Sequence, residues 1–143
     1  MNADRHCEFE TNKGPTMNVQ RRRTAEVKYE YGCDLRRIYP WNGVASPVWG
    51  TAIASVRPGE STHPHSHDEL ETFLVLSGKG QMFIENECEE LVAGDVVFIP
   101  KEKQHRFANL SQEEPLVFLT IWWDSPEARQ RMAELVATGK EDS

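Results

Sequence analysis

Three histidines and one glutamate lie at short, fixed offsets from glycines in the middle of this 143-residue sequence: His65, His67, Glu71 and His105. Residues two apart in a β-strand project from the same face, so His65 and His67 can both point into one cavity. Glu71 follows after a gap that is short enough for a turn, whereas His105 has to return from a separate strand. This spacing favours a closed β-fold that brings separate stretches of chain to one point.

These four side chains suit a metal ion as ligands. Imidazole and carboxylate groups bind divalent first-row metals such as zinc, iron, manganese, nickel or cobalt, and no cysteine falls within the set. Two further histidines are weaker candidates. His6 is expected to be an ordinary surface residue, while His63 has the strand parity of His65 and stays an alternative ligand.

Short runs of β-branched and aromatic residues alternate with turn residues from Asp34 onward, which is the pattern of an all-β sandwich or barrel. Turn-forming pairs such as Pro58-Gly59 and Gly94-Asp95 separate the runs. The predicted strands are Leu35–Trp41, Val48–Val56, Thr62–His67, Thr72–Ser77, Gln81–Glu85, Glu89–Val92, Val96–Ile99, His105–Asn109 and Leu116–Trp123.

The chain divides into three predicted parts. Residues 1–26 are polar with little periodicity and predict a flexible arm, and residues 27–124 form the β-barrel. Residues 125–139 predict a short helix, because Ser125 is a suitable N-cap and Pro126 suits the first helical position. We expect this helix to pack on the barrel or on a partner subunit.

Composition limits the classes of partner. A chain of 143 residues has the length of one domain, and its net charge of −7 argues against nucleic acid or an anionic membrane as the main partner. No apolar segment approaches the roughly 20 residues that span a bilayer, and the N-terminus lacks the pattern of a signal peptide. Three widely spaced cysteines suit reduced thiols, so a cytoplasmic location is expected.

The glycine, histidine and glutamate spacing resembles the two motifs of the cupin superfamily, G-x5-H-x-H-x3-E-x6-G and G-x5-P-x-G-x2-H-x3-N. The first corresponds to residues 59–78 of this chain and the second to residues 94–109. The resemblance implies a double-stranded β-helix, or jelly-roll barrel, that holds one divalent transition metal. The implied ligands are His65, His67, Glu71 and His105.

One specified position departs from the family pattern, because Glu102 stands where the second motif has glycine. The turn at Glu102 must therefore adopt a negative φ or carry strain of about 1 to 3 kcal/mol. The spacing from Pro100 to His105 is kept, so the departure concerns the shape of the turn rather than the ligand.

Aromatic residues at inward-facing strand positions are expected to form the walls of the barrel. The predicted pocket residues are Trp49, Arg57, Phe73, Gln81, Phe83, Phe107 and Trp122. The predicted catalytic residues are Glu69, Glu71 and Tyr39, of which Glu71 is also a predicted metal ligand. With four protein ligands, an octahedral ion keeps two positions open for water, dioxygen or a substrate.

The favoured function is a metal-dependent enzyme that acts on a small polar metabolite. Iron(II) would support oxidation by dioxygen, whereas zinc or manganese would assist a non-redox isomerisation or rearrangement. The segment from Arg37 to Trp41 and the pairing of Glu69 with Glu71 resemble small cupins that accompany methionyl-tRNA-synthetase-like ligases. That resemblance implies nitrogen–nitrogen bond formation from an amino acid ester of a hydroxylamine, with a synthetase-like partner.

A different class of function stays open, namely a metal-containing binding or sensor module without catalysis. The sequence carries no helix-turn-helix or other effector segment, which favours the enzyme over the sensor. The terminal strands and the N-terminal arm resemble those of dimeric cupins, so a homodimer is expected.

Overall fold

The computed structural model describes residues 17–139, and within them the chain forms nine β-strands and one α-helix. The strands are β1 Lys28–Glu30, β2 Cys33–Arg37, β3 Gly50–Val56, β4 Leu70–Ser77, β5 Lys79–Ile84, β6 Glu87–Val92, β7 Val96–Ile99, β8 His105–Asn109 and β9 Leu116–Trp123, and the helix is α1 Pro126–Gly139. The predicted all-β class with a short C-terminal helix is confirmed. His6, Cys7 and the first part of the predicted arm lie outside the described residues.

The strands form two sheets in which some neighbours, such as β3 and β9, are far apart in sequence. One sheet has six strands in the order β1-β2-β3-β9-β4-β7, and the other has three in the order β6-β5-β8. Every pairing of these strands is antiparallel. The last strand, β9, lies between β3 and β4, which closes the chain into the predicted jelly roll.

A cluster of three phenylalanines forms the centre of the core between the two sheets. Phe73 and Phe118 have ring centroids 4.4 Å apart, and Phe107 lies 5.3 Å from Phe118. Phe107 and Phe118 come from strands of different sheets, so this contact holds the sheets together. Burial of these three aromatic rings is expected to contribute strongly to the free energy of folding.

Small side chains next to this cluster leave space inside the barrel. Ala52 and Ala54 alternate inward on β3 and are completely or almost completely buried. Across the sheet, Ala52 pairs with Arg37 on one side and with Thr120 on the other. Paired residues share a face of the sheet, so the side chains of Arg37, Ala52 and Thr120 all point into the barrel. The small Ala52 side chain leaves space between the other two.

The predicted strand Thr62–His67 is wrong. This segment makes one isolated bridge, His65 with His105, and the residue before it makes another, Ser61 with Ala108. Pro64 lacks the N–H that a continuous ladder requires, so the segment crosses β8 without joining the sheet. Its position is nevertheless fixed, because His65 and His105 exchange both backbone hydrogen bonds, at 3.2 and 3.0 Å.

The first strand, β1, was not predicted. It pairs with β2 through a tight turn in which Tyr31 and Gly32 both have positive φ, at 55° and 79°. A Cβ on Gly32 would lie 2.6 Å from the carbonyl oxygen of Ser61, so this turn packs directly on the segment that carries His65. The strand predicted to end at Trp41 ends at Arg37 instead.

The helix α1 begins as predicted, with the Ser125 hydroxyl accepting a hydrogen bond from the N–H of Ala128 at 3.1 Å. Arg131 ties the helix to the barrel by donating to the backbone carbonyl of Ser46 at 3.0 Å. Met132 is about half exposed. Among residues 17–139, no helix has the length and apolar character that a membrane span needs.

The sequence allowed either a negative φ or a strained backbone at Glu102, and the structure shows the strained backbone. Glu102 has φ of 61°, in the left-handed region that favours glycine. Its N–H donates to the carbonyl of His67 at 2.9 Å, so the turn supports the segment that carries a predicted ligand. The turn thus has a backbone shape that suits glycine, the residue of the family motif at this position, better than glutamate.

Glu102→Gly is expected to stabilise the protein by about 1 kcal/mol, because glycine removes the clash of the Cβ in the left-handed conformation. Urea unfolding of the metal-free protein measures the change. Glu113→Gly is the control, since Glu113 is exposed and is not among the residues with positive φ. Equal destabilisation by both substitutions would contradict strain at Glu102.

Candidate metal centre

Three imidazoles converge at one end of the barrel interior. His65 and His67 come from the segment before β4, and His105 is the first residue of β8. One ring nitrogen from each of the three lies within 4.8 Å of the others. The bridge between His65 and His105 brings two of these histidines together, with ring centroids 4.5 Å apart.

Each imidazole is oriented by a backbone carbonyl two residues away. The Nδ1 atoms of His65 and His105 lie 2.8 and 2.9 Å from the carbonyl oxygens of His63 and Lys103. The Nδ1 atom of His67 lies 3.3 Å from the carbonyl oxygen of Glu69. When Nδ1–H donates to a carbonyl, the lone pair is on Nε2, so all three rings present Nε2 as the metal-binding atom.

Glu71 adds a buried carboxylate to the three rings. Its Oε1 atom lies 3.1 Å from Nε2 of His67 and 3.4 Å from Nε2 of His105. Its Oε2 atom accepts a hydrogen bond from the hydroxyl of Thr120. Burial alone would raise the pKa of Glu71, but the nearby His105 and His67 and the hydroxyl of Thr120 outweigh it and hold the pKa at about 2. The carboxylate is therefore ionised at neutral pH.

The donor set fits a divalent first-row ion. Among residues 17–139, Nε2 of His105 is the one buried side-chain nitrogen or oxygen without a hydrogen-bond partner. A buried polar atom without a partner costs free energy, and coordination to a cation removes that cost. Cys33 also lines the cavity, but burial raises the pKa of its thiol to about 11, which disfavours the thiolate that metals bind.

His63 lies outside this cluster. It is exposed, its N–H donates to the carbonyl of Tyr31 at 2.8 Å, and its own carbonyl faces Nδ1 of His65. His63 thus helps to position His65 through its backbone atoms rather than through its imidazole. The structure therefore favours His65 over His63 as the ligand from this segment.

Protons are expected to compete with the metal at His67. The Glu71 carboxylate accepts a hydrogen bond from the protonated His67 ring and so raises the pKa of His67, and the protonated ring persists to higher pH in the metal-free protein. Because metal binding requires the neutral ring, the metal association constant should fall as the pH falls below this pKa, by up to about tenfold per unit for one displaced proton. Competition with a chelating dye between about pH 5 and 8 measures the metal association constant at each pH. A constant affinity over that range would contradict displacement of a proton.

A cavity of about 510 Å³ opens next to the imidazoles. Its apolar walls are Leu35, Ala52, Ala54, Phe73, Phe118 and Trp122, and its polar lining includes Tyr31, Arg37, Thr62, Ser66, Glu69 and Thr120. Burial raises the pKa of Glu69, so its proton is held to higher pH than in an ordinary carboxylic acid. Arg37 is held by a salt bridge with Glu30. The volume lies in the range of small-molecule sites.

Several predicted pocket residues lie in this cavity, and others do not. Glu69, Glu71, Phe73 and Trp122 line it, whereas Tyr39, Trp49, Arg57, Gln81, Phe83 and Phe107 do not. Gln81 and Phe83 alternate with the buried Met82 on β5 and so face outward. Phe83 instead lies beneath the guanidinium of Arg106, 3.8 Å from the ring centroid.

The other four predicted pocket or catalytic residues that do not line the cavity lie in the core or on the outside of the barrel. Phe107 is fully buried in the core behind the cavity. Arg57 is on the outside, where it forms a bidentate pair with Asp34 at 3.0 Å. Tyr39 and Trp49 pack edge to face outside the barrel, with centroids 5.6 Å apart.

Tyr31, Arg37 and Thr120 are among the lining residues that the sequence interpretation missed. Thr120 could have been found, because it lies two residues before Trp122 on the same strand and so shares its face. Arg37 likewise shares the inward parity of Leu35 on β2. Tyr31, whose ring stacks on His65 at 5.4 Å, follows a three-residue strand that has no distinctive pattern.

Comparison with known proteins agrees with this fold. The family described as "Cupin domain" matches residues 52–122. A Streptomyces cyaneus protein named polyketide synthase CurC is 31% identical over 104 residues, which cover 68% of each chain. A Bradyrhizobium protein named 5-nitrosalicylic acid 1,2-dioxygenase is 20% identical over 136 residues, or 87% of this chain and 63% of that protein.

A solved structure shows the same fold. The plu4264 protein from Photorhabdus luminescens is 31% identical and superposes with a TM-score of 0.71, covering 85% of this chain and 98% of the other. The matches span between 48% and 68% of the lengths of the curated relatives.

Proposed function

This chain belongs to the cupin superfamily, and we propose that it is a metal-dependent enzyme that moves a proton on a small, oxygen-bearing metabolite. The observation that carries the proposal is the buried, unpartnered Nε2 of His105, which faces the carboxylate of Glu71 beside a cavity of substrate size. The proposed ligands are His65, His67, Glu71 and His105. When bound, a divalent ion supplies a Lewis acid that polarises a carbonyl oxygen.

Glu69 is the proposed acid–base group. Its side chain lines the cavity within reach of the histidine cluster, with a carboxylate oxygen 3.7 Å from Nδ1 of His67. Burial raises the pKa of Glu69, which brings it nearer to the value that suits a general base at neutral pH. In the proposed reaction the Glu69 carboxylate accepts a proton from the carbon next to the polarised carbonyl, and then returns it to the same carbon or to a neighbouring one.

Other groups would bind and orient the substrate. The aromatic walls Phe73, Phe118 and Trp122 suit a flat or apolar portion of the molecule. Arg37 is the one cationic side chain among the described lining residues apart from the histidines, and its salt bridge with Glu30 fixes its position. We therefore assign to Arg37 the binding of a polar substituent away from the metal.

The non-redox reaction is supported by the similarity to a protein named as a polyketide synthase. Polyketides contain 1,3-dicarbonyl units, which chelate a metal through two oxygens and have acidic C–H bonds between them. This substrate class would use both a Lewis acid and the carboxylate of Glu69. A nitrogen–nitrogen rearrangement with a synthetase-like partner, and assembly as a homodimer, stay predictions.

Oxidation by dioxygen is the second candidate, because one relative is named as a dioxygenase and the donor set also suits iron(II). A binding or sensor module without catalysis is the third.

One experiment separates the three functions. Metal-free protein is loaded in turn with zinc, manganese, cobalt, nickel and iron(II), and mixed with short dicarbonyl and hydroxycarbonyl compounds in D2O. Metal-dependent exchange of C–H for C–D without oxygen uptake is the expected result. Oxygen uptake by the iron(II)-loaded protein, but not by the protein loaded with the other metals, would favour the dioxygenase. Binding of the compounds without C–H exchange or oxygen uptake would favour the sensor.

A further inference from the structure

The indole of Trp122 lies directly against the backbone of Gly50. The two residues are paired opposite each other on β9 and β3. A Cβ on residue 50 would lie only 2.0 to 2.3 Å from Cε2, Cζ2 and Nε1 of the indole. Only glycine permits this approach, so the pair fixes the position of the ring. On the other side of β9, Trp122 pairs with Glu71, which brings the indole beside a proposed metal ligand.

This indole stands between two separate spaces. On one side is the metal cavity of about 510 Å³. On the other is a groove of about 450 Å³ between the barrel and α1, here called the outer groove, which is lined by Tyr39, Pro47, Trp49, Ser125 and Arg131 among others. Within residues 17–139, Trp122 is the only residue that lines both spaces.

We infer that Trp122 determines the size of the ligand that can bind at the metal, by closing the cavity on the side of the outer groove. The inference rests on the proposed function, because it requires a ligand that binds the metal. It narrows the substrate class to compact chelating molecules, with a short chain or a single ring. A larger molecule would have to displace an indole that Gly50 and the neighbouring strands hold in place.

Hydroxamates of different size test this inference. Acetohydroxamic acid and 2-naphthohydroxamic acid bind a metal through the same two oxygens and differ only in the attached group. The probe is the cobalt(II)-loaded full chain, and the visible absorption of cobalt gives each Kd. In the unaltered protein, acetohydroxamic acid is expected to bind more tightly than the naphthyl compound.

Trp122→Ala is expected to reverse this preference. Removal of the indole joins the cavity to the outer groove, so the ratio of the naphthyl Kd to the acetyl Kd should fall by about tenfold or more. Trp122→Leu provides a second variant if the alanine protein folds poorly, and an intermediate ratio is expected for it. A purely structural role for Trp122 would weaken both hydroxamates together and leave the ratio unchanged.

Trp123→Ala is the matched control. Trp123 is the next residue on β9 and faces the other side of the sheet, where its ring lies 6.3 Å from that of Phe98. Loss of an indole there should leave the ratio as it is in the unaltered protein. An equal change of the ratio in Trp123→Ala and Trp122→Ala would overturn the inference.

The test separates failure of the inference from failure of the proposed function. If the unaltered protein binds no cobalt, or binds cobalt but neither hydroxamate, the proposed metal-dependent function is wrong. If both hydroxamates bind and Trp122→Ala and Trp122→Leu leave their ratio unchanged, the metal site stands and the inference about Trp122 is wrong.

Discussion

Replacing His65 and His67 together with alanine is expected to leave the protein without bound metal. The two rings supply two of the three imidazole nitrogens that lie within 4.8 Å of one another. The remaining His105 and Glu71 offer only two ligands, fewer than the three or four protein ligands of typical zinc sites. Elemental analysis of the purified protein should therefore fall from close to one transition-metal ion per chain to nearly none.

His63→Ala provides the control for this loss. His63 is exposed, and its contacts with Tyr31 and His65 are made by backbone atoms that alanine retains. This variant should keep the metal content of the unaltered protein. Full metal occupancy in the double variant would refute the assignment of ligands. Loss of metal in His63→Ala with an intact fold would show that the imidazole of His63 takes part.

Glu69→Gln is expected to slow the proposed proton exchange by about 10²- to 10⁴-fold, the usual contribution of a positioned acid–base group. The amide is similar in size to the carboxylic acid but cannot accept the proton. Metal content should be unchanged, because the carbonyl of Glu69 that faces Nδ1 of His67 belongs to the backbone. Deuterium exchange followed by NMR measures the rate for each protein at the same metal loading.

The pH dependence of the exchange gives an independent check on Glu69. Burial raises the pKa of Glu69, and a general base works only when it is deprotonated. The rate should therefore decline as the pH falls through this raised pKa, and Glu69→Gln should lose that decline. Asp68→Asn is the control, because Asp68 is exposed and pairs with Arg129 at 3.0 Å. An unchanged rate in Glu69→Gln would remove Glu69 from the mechanism.

The strand pattern was sufficient to predict the all-β fold and most of its elements. The strands Val96–Ile99, His105–Asn109 and Leu116–Trp123 have the predicted bounds, since runs of β-branched and aromatic residues between turn residues mark strands of this kind. The strand predicted at Thr62–His67 failed because the composition of a segment does not show whether a partner strand is available, and Pro64 interrupts the ladder.

The proximity of His65 and His67 was predictable from strand parity, whereas the return of His105 to the same point was predictable only from the resemblance to the cupin motifs. The walls of the cavity were harder to predict, because their selection requires both strand parity and the order of strands in each sheet. Gln81 and Phe83 illustrate the point, since they face outward on β5 while Gly80 and Met82 are buried. Arg57 was excluded by its pairing with Asp34, which is 23 residues away in sequence.

Tyr31 and Thr120 show what a motif-based interpretation leaves out. Both lie outside residues 59–109, yet one stacks on His65 and the other donates to Glu71. Tyr31 lies in the turn between β1 and β2, which packs on the segment that carries His65. Thr120 lies on β9, which pairs with β4 although the two strands are far apart in sequence. Two residues that support the proposed ligands therefore lie outside the motifs, and the motifs alone could not have identified them.

X-ray absorption at the edge of the bound metal tests the central claim most directly. The claim is that three imidazole nitrogens and the carboxylate of Glu71 hold one divalent ion. We predict scattering from three histidine nitrogens, at about 2.0 to 2.1 Å for zinc. An ion surrounded by water or carboxylate oxygens, without the scattering pattern of imidazole rings, would contradict it.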